Sequence, residues 1–373
     1  MSDPNVPSPT LLSAGGDPGA GRIAAAAGLE RQSEVRSPDL PTEPLGTYAL
    51  RHGLRPSAER PPVLAYLAEI WRRRHFVMAF ATARNIAMYT EAKLGQIWQV
   101  LTPLLNAGVY FLIFGVLVPI NRGIPNYLAF LVTGVFVFNF TQRAFITTSS
   151  VITESLPLIR ALQFPRAALP LAYVIIELEQ MVLAMAVLVV IVLATGEPVT
   201  WYWLLVIPAL LLQTIFNIGI GLFAARLGAQ VNDFSQLLPF LMRTWLYVSG
   251  VLFSIQNLGL SQTSFLAKHS WAVQVLEVNP AAVYITMVRD SVLRSQRLSA
   301  PGAKPYNAAL CTQWQNAAAR GGTVPVKLQY DSAYCAAHIT VQHLWYYGIG
   351  WAALALVVGF FFFWRAETRY GRG

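Results

Sequence analysis

The chain has 373 residues, 55% hydrophobic and 12% charged, with a formal net charge of +9 and a mean hydropathy of +0.48. That balance excludes an ordinary globular domain. It also argues against a nucleic-acid partner: no basic stretch is interleaved with aromatics as in a binding groove, and basic loops beside anionic lipid account for the charge.

Residues 1–60 are rich in Pro, Gly, Ser and Ala, with no aromatic before Tyr48. The segment reads as a disordered cytoplasmic tail and not as a signal peptide, since no apolar core follows a basic start. Residues 61–93 form an amphipathic interface helix. Within a single helical piece over 63–84, Val63, Tyr66, Leu67, Ile70 and Trp71 recur at helical spacing and Arg72, Arg73 and Arg74 interrupt the apolar stripe. Such a helix lies along a membrane surface rather than crossing it.

A bilayer core takes about 20 apolar residues per helix. Spans are expected at residues 97–119, 127–147, 168–194, 201–225, 237–255 and 344–364. The fold class is therefore an all-α integral membrane protein with six transmembrane helices per protomer: five within 94–255, and the sixth at 344–364 before a short tail, 365–373. Basic residues set the orientation. Arg72 to Arg74, Arg84, Lys93, Arg160, Arg166, Arg226, Arg365, Arg369 and Arg372 fall on one side, while Arg122 stands opposite. Both termini should be cytoplasmic, in a cytoplasmic (inner) membrane.

Residues 271–292 are apolar but carry Glu277, Arg289 and Asp290 and are split by Pro280. They read as external re-entrant or surface-lying helices, because non-spanning backbone at membrane depth is tolerated where protein covers it. Residues 256–343 then form one long external loop containing Cys311 and Cys335. A disulfide between them would stabilise this insertion by about 3 kcal/mol; two unpaired thiols are the alternative.

Polar groups inside spans are costly and therefore informative. Arg143, Glu177, Glu179 and Arg243 are such groups. Successive helical residues are about 100° apart, so Glu177 and Glu179 cannot share a face, and one of them should meet a cavity or partner. Snorkelling near a cytoplasmic end explains the same residues equally well. Asn106 with Tyr110, and Trp245 with Ser249, sit at i, i+4 and are the better candidates to line a path; lipid-facing packing is the ordinary reading of the other aromatics. The coupling loop 149–167 holds a short amphipathic helix, Pro157 and then Phe164-Pro165-Arg166. A helix across the membrane base suits docking to a cytoplasmic partner through Glu154, Leu158, Ile159 and Arg160, with Asp233 beside them.

No G-x-x-x-x-G-K-[ST] phosphate loop is present, so the chain does not hydrolyse ATP by that route. His338 and His343 have metal-compatible spacing, but no Cys or carboxylate completes a ligand set, so no metal site is expected. There is no Gly-x-Ser-x-Gly and no glycosidase-like carboxylate pair.

The ordered pattern resembles the transmembrane subunits of polysaccharide ABC exporters. The residues that carry the resemblance are Leu94-Gly95-Gln96-Ile97-Trp98-Gln99-Val100-Leu101-Thr102-Pro103-Leu104, Phe164-Pro165-Arg166, Val231-Asn232-Asp233-Phe234 and Asn279-Pro280, all behind a basic amphipathic helix. The tail from Trp364 to Arg372 resembles actinobacterial members that export mycobacterial cell-wall galactan. The insertion 298–343 and the N-terminal tail depart from the common pattern. The resemblance implies a homodimer above two copies of an ABC ATPase subunit, with ATP-Mg held by that partner and no cofactor in this chain. It implies a polyprenyl-diphosphate-linked polysaccharide as substrate, whose headgroup Arg72, Arg73 and Arg74 would meet. Anchoring to anionic membrane lipid explains the same arginines.

Three rival readings stand beside it. They are an ABC exporter of small lipophilic compounds, a proton-driven secondary transporter working through Glu177 or Glu179, and a membrane glycosyltransferase using Asp233. The secondary transporter would call for an internal repeat, which the sequence lacks.

Overall fold

The computed structural model describes residues 62–90, 93–95, 97–117, 126–162, 164–231, 233–253, 255, 270–293 and 341–367. They form α1 (Val63–Arg72), α2 (Arg74–Thr90), α3 (Ile97–Phe111) with a π-helical extension Leu112–Leu117, and α4 (Tyr127–Glu154). Next come α5 (Leu156–Ala161), α6 (Ala168–Ala194), a 3-10 turn Trp201–Leu205 and α7 (Val206–Gln230). The described chain closes with α8 (Phe234–Val248), α9 (Ser270–Val278), α10 (Pro280–Val292) and α11 (Val341–Trp364). Among the described residues there is no strand.

Among the described residues, four helices are long and apolar enough to cross a membrane: α4, α6, the 3-10 turn with α7, and α11. The chain is thus a multi-pass membrane protein, all-helical over the described residues. Of the other two expected spans, α3 with its π-helical extension runs over most of 97–119, and α8 over part of 237–255. α3 contains Pro103, which removes one rung of its ladder, and passes into π-helix at Leu112. α8 is 15 residues long and stops at Val248, well short of 255. Gly250 takes a left-handed φ of 70° in the turn that ends it.

α4 is the core helix and packs against α3, α6, α7, α8 and α10. Its hydroxyls bond back to carbonyls of its own ladder, as Thr133 does to Ala129 at 2.7 Å and Thr147 to Arg143 at 2.8 Å. That local solution keeps polar groups satisfied away from water. Gln213 of α7 donates across to Val137 O and Thr141 Oγ1 at 2.8 and 2.9 Å. α7 and α11 cross so closely that a Cβ on Gly359 would overlap the Gly219 carbonyl. Without a hydrophobic force between helices in lipid, such small-residue contacts supply the packing. Arg226 locks the crossing by donating to Phe362 O and lying 3.9 Å from the Phe362 ring centre.

The interface segment is two helices. α1 ends at Arg73, whose N–H bonds to Glu69 O, and α2 starts afresh. A single straight helix cannot satisfy both packing partners. α1 is anchored through Tyr66 to Glu367 beyond α11, whereas α2 buries Val77, Ala81 and Asn85 and packs along α6.

At the opposite end from α5, Asn126 caps α4 and donates to Thr195 and Glu197 after α6, at 2.9 and 3.3 Å. α9 and α10 meet at Asn279-Pro280, an N-cap followed by proline at the first helical position. With 9 and 13 residues, neither crosses a bilayer alone.

Candidate functional site

Three polar regions are built into this apolar frame. The first lies between α3, α4 and α6. Gln99, Pro103, Asn139, Arg143, Glu177 and Gln180 line a small recess there. Arg143 Nη1 donates to Gln180 Oε1 at 2.5 Å. Glu177 is buried, and its Oε2 has no hydrogen-bond partner among the described residues. Glu179, on the other side of α6, accepts from Asn85 Nδ2 at 2.8 Å, and Asn85 Oδ1 accepts from Gln99 Nε2 at 2.8 Å. The two glutamates therefore part company as the helical geometry requires. Asn85, Gln99 and Gln180 were not singled out in the sequence; their signal was an amide on an otherwise apolar helix face.

The second region is the outward face of α3 and α8. Phe240, Arg243, Thr244 and Tyr247 form one exposed stripe on α8, at i, i+3, i+4 and i+7. On α3, Asn106 is exposed and Tyr110 is half-buried. Arg243 and Tyr247 lie within electrostatic reach of Tyr110. Trp245 and Ser249 point elsewhere. Trp245 packs edge-on against Phe138, and its Nε1 donates to Asn279 Oδ1 at 2.8 Å. Ser249 lies fully buried in the turn after α8, its hydroxyl bonded to Leu246 O at 2.9 Å.

That turn is held by a residue whose role the sequence did not disclose. The Arg289 guanidinium donates to Phe130 O, Gly250 O and Val251 O at 3.1, 2.8 and 2.8 Å. It stacks on the Phe130 ring at 3.3 Å. A Cβ on Gly134 would collide with it. Asn279 adds a bond from Nδ2 to Val248 O at 3.4 Å, and Trp351 donates to Val278 O at 2.7 Å.

The third region is the base. α5 follows α4 after one residue, with Ile159 buried as its anchor, Leu158 half-buried, and Glu154 and Arg160 exposed. Asp233 is exposed at the start of α8. Phe145 meets Phe234 edge-on at 6.4 Å, bringing that start beside α4. Arg72 and Arg73 both pair with Glu69, whose carboxyl is held below its usual value, chiefly by the Arg73 hydrogen bond. Arg74 donates to Trp71 O at 3.2 Å and lies over its ring at 5.3 Å. Cys311 and Cys335 lie outside the described residues, as does His338.

The sequence matches the family model for the ABC-2 type transporter over residues 76–290. That match takes in α2 through α10, more than half of the chain. The chain belongs to the ABC-2 type transporter family. Curated relatives carry the same theme. An O-antigen export system permease protein of Myxococcus xanthus is 24% identical over 246 residues, 66% of this chain and 90% of the relative. Two permease proteins of the same description from Klebsiella pneumoniae are 26% and 25% identical over 203 residues, each match covering 54% of this chain and 74% of the relative. As an ABC-2 type transporter, the chain is a membrane transport component rather than an enzyme. No group of His, Cys, Asp and Glu suited to a metal is found among the described residues.

Proposed function

We propose that this ABC-2 transporter is the membrane-spanning subunit of an ATP-driven exporter of a polyprenyl-diphosphate-linked polysaccharide. In this reading two copies, each with six spans and cytoplasmic termini, sit in the cytoplasmic membrane above two ATPase chains that hold ATP-Mg. The cargo is a glycan of the O-antigen kind named for the relatives; cell-wall galactan is the member of that class to which the sequence of the tail leans.

The supporting observation is Arg243. A guanidinium on the outward face of an apolar helix is costly against lipid and belongs beside water, cargo or protein. Thr244 shares its exposed stripe, and Tyr247 and Tyr110 lie near it. A second copy placed against α3 and α8 encloses this stripe in a polar and aromatic path, where sugar rings slide over flat faces. Arg143, Glu177 and Gln180 give the same protomer a second polar patch beside α3. The exposed Glu154, Arg160 and Asp233, with the half-buried Leu158, form the surface on which an ATPase would seat, with Ile159 holding α5 to the body. Arg74 and the outer faces of Arg72 and Arg73 serve the diphosphate headgroup, Glu69 keeping two of the three forks in register.

The test is a pull-down of the tagged chain from mild detergent. A stoichiometric ATPase with a phosphate-loop motif, lost on Arg160→Glu, is the expected result. Transport with no ATPase attached would refute the reading and return Glu177 to the centre as a proton carrier.

A further inference from the structure

Three elements far apart in the chain meet at one carboxylate. Glu367, three residues beyond α11, is 8% exposed. Its Oε2 accepts the Tyr66 hydroxyl of α1 at 2.8 Å, and its Oε1 accepts the Arg166 N–H at 3.1 Å. The Arg166 guanidinium donates to the Glu367 carbonyl. The Tyr66 oxygen in turn accepts the Ala167 N–H at 3.1 Å. Arg166 and Ala167 lie at the start of α6, on the segment that runs back to α5. They carry amide donors that a helix start leaves without an intrahelical partner.

The apolar surroundings close around the same point. Phe76 of α2 packs on Phe164 at 5.3 Å, and Tyr66 on Phe360 at 6.1 Å. Tyr66 is the buried residue of α1, whose Leu64, Leu67 and Trp71 are exposed. Tyr66 therefore tethers α1 to the body, through Glu367 and the Ala167 N–H. A carboxylate this buried is tolerated because each oxygen meets a directed donor. Arg72 ends α1 and Arg73 caps it, both within two helical turns of Tyr66, and Arg74 opens α2.

We propose that Glu367 is a positioning residue that straps α1 to the coupling segment, so that α1 and its arginines move with α5 when the ATPases close. The inference rests on the exporter reading. On that reading, a displacement at the docking surface reaches the headgroup-binding end of α1 through Glu367 and Tyr66, with no contact between α5 and α1 required.

The test uses the full complex with its ATPases in lipid nanodiscs. An environment-sensitive non-natural side chain is placed at Leu64 on α1 or, in a separate sample, at Ala161 on α5; both positions are exposed. ATP is added with hydrolysis blocked by vanadate. In the unmodified background both positions respond. Tyr66→Phe, which keeps the ring on Phe360, and Glu367→Ala keep the response at Ala161 and abolish it at Leu64. In reconstituted vesicles the same two variants hydrolyse ATP but lose most of their export. Glu367→Gln restores both, since its amide oxygen accepts from Arg166 and its NH2 donates to the Tyr66 oxygen. The strap is refuted if Leu64 responds equally in Tyr66→Phe and Glu367→Ala, or if it never responds while Ala161 does. A silent Ala161 in a complex that hydrolyses ATP refutes the coupling-loop reading underneath, and the strap with it.

Discussion

Replacing Arg289 with Met tests the account of how α10 is fixed. The methionine keeps most of the side-chain volume and its contact with Phe130, and removes the three donors to Phe130 O, Gly250 O and Val251 O. The Phe130 carbonyl belongs to the α4 ladder, so its loss is modest. Gly250 and Val251 lie buried in the turn after α8, and stranding two buried carbonyls costs about 1–3 kcal/mol each. The sum is about 2–6 kcal/mol. At about 2 °C per kcal/mol for a chain of this size, the apparent Tm in detergent should fall by about 4–12 °C. Arg289→Lys should fall between, since a single ammonium cannot reach three carbonyls in a planar fork. Size-exclusion chromatography after a heating series reads the shift. An Arg289→Met protein within about 2 °C of the parent would refute the keystone assignment, since even the smaller expected loss exceeds that.

Other outcomes follow from the same contacts. Gly359→Ala pushes α11 off Gly219 and should cost about 1–3 kcal/mol by overpacking, measured as a lower apparent Tm, whereas Gly350→Ala, which meets open space, should not. Arg243→Leu removes the charge from the exposed stripe of α8 without touching the core; export should drop at least tenfold with unchanged Tm, and retained export would remove Arg243 from the path. Burial raises the Glu367 pKa from 4.5, against the lowering hydrogen bonds of Tyr66 and Arg166. The folded state therefore holds its proton more tightly than the unfolded one. The associated stability is fully present below about pH 4.5 and is lost as pH rises through the raised value. Glu367→Gln should flatten that slope in a pH series of unfolding, and an unchanged slope would assign it to another group.

The sequence showed its long features and hid its joints. Continuous apolar runs announced α4, α6, α7 and α11, because length and hydropathy are local properties. The break between α1 and α2 at Arg73 was not visible. It arises from two partners, Glu367 and α6, that lie hundreds and about a hundred residues away. The end of α8 at Val248 was likewise set by a tertiary contact, Arg289 on the turn at Gly250. Trp245 and Ser249 illustrate the same limit: their i, i+4 spacing was read correctly as spacing, but which way that face turns depends on Phe138 and Asn279. Asn279-Pro280 was legible as a helix start because cap and proline are adjacent in sequence. Arg289 stood out as a charge in an apolar stretch, yet its hydrogen-bond acceptors are backbone carbonyls, which leave no trace in a sequence.

The central claim is ATP-driven movement of a lipid-linked polysaccharide, and transport into inverted membrane vesicles tests it most directly. Vesicles carrying the chain and its ATPase, loaded on their outer face with lipid-linked glycan, are given ATP and then a glycosidase that cannot cross the membrane. The account predicts that ATP, and not a proton gradient, renders the glycan resistant to digestion, and that Arg243→Leu abolishes the protection. Full digestion in the presence of ATP, by vesicles that still hydrolyse it, would contradict the claim.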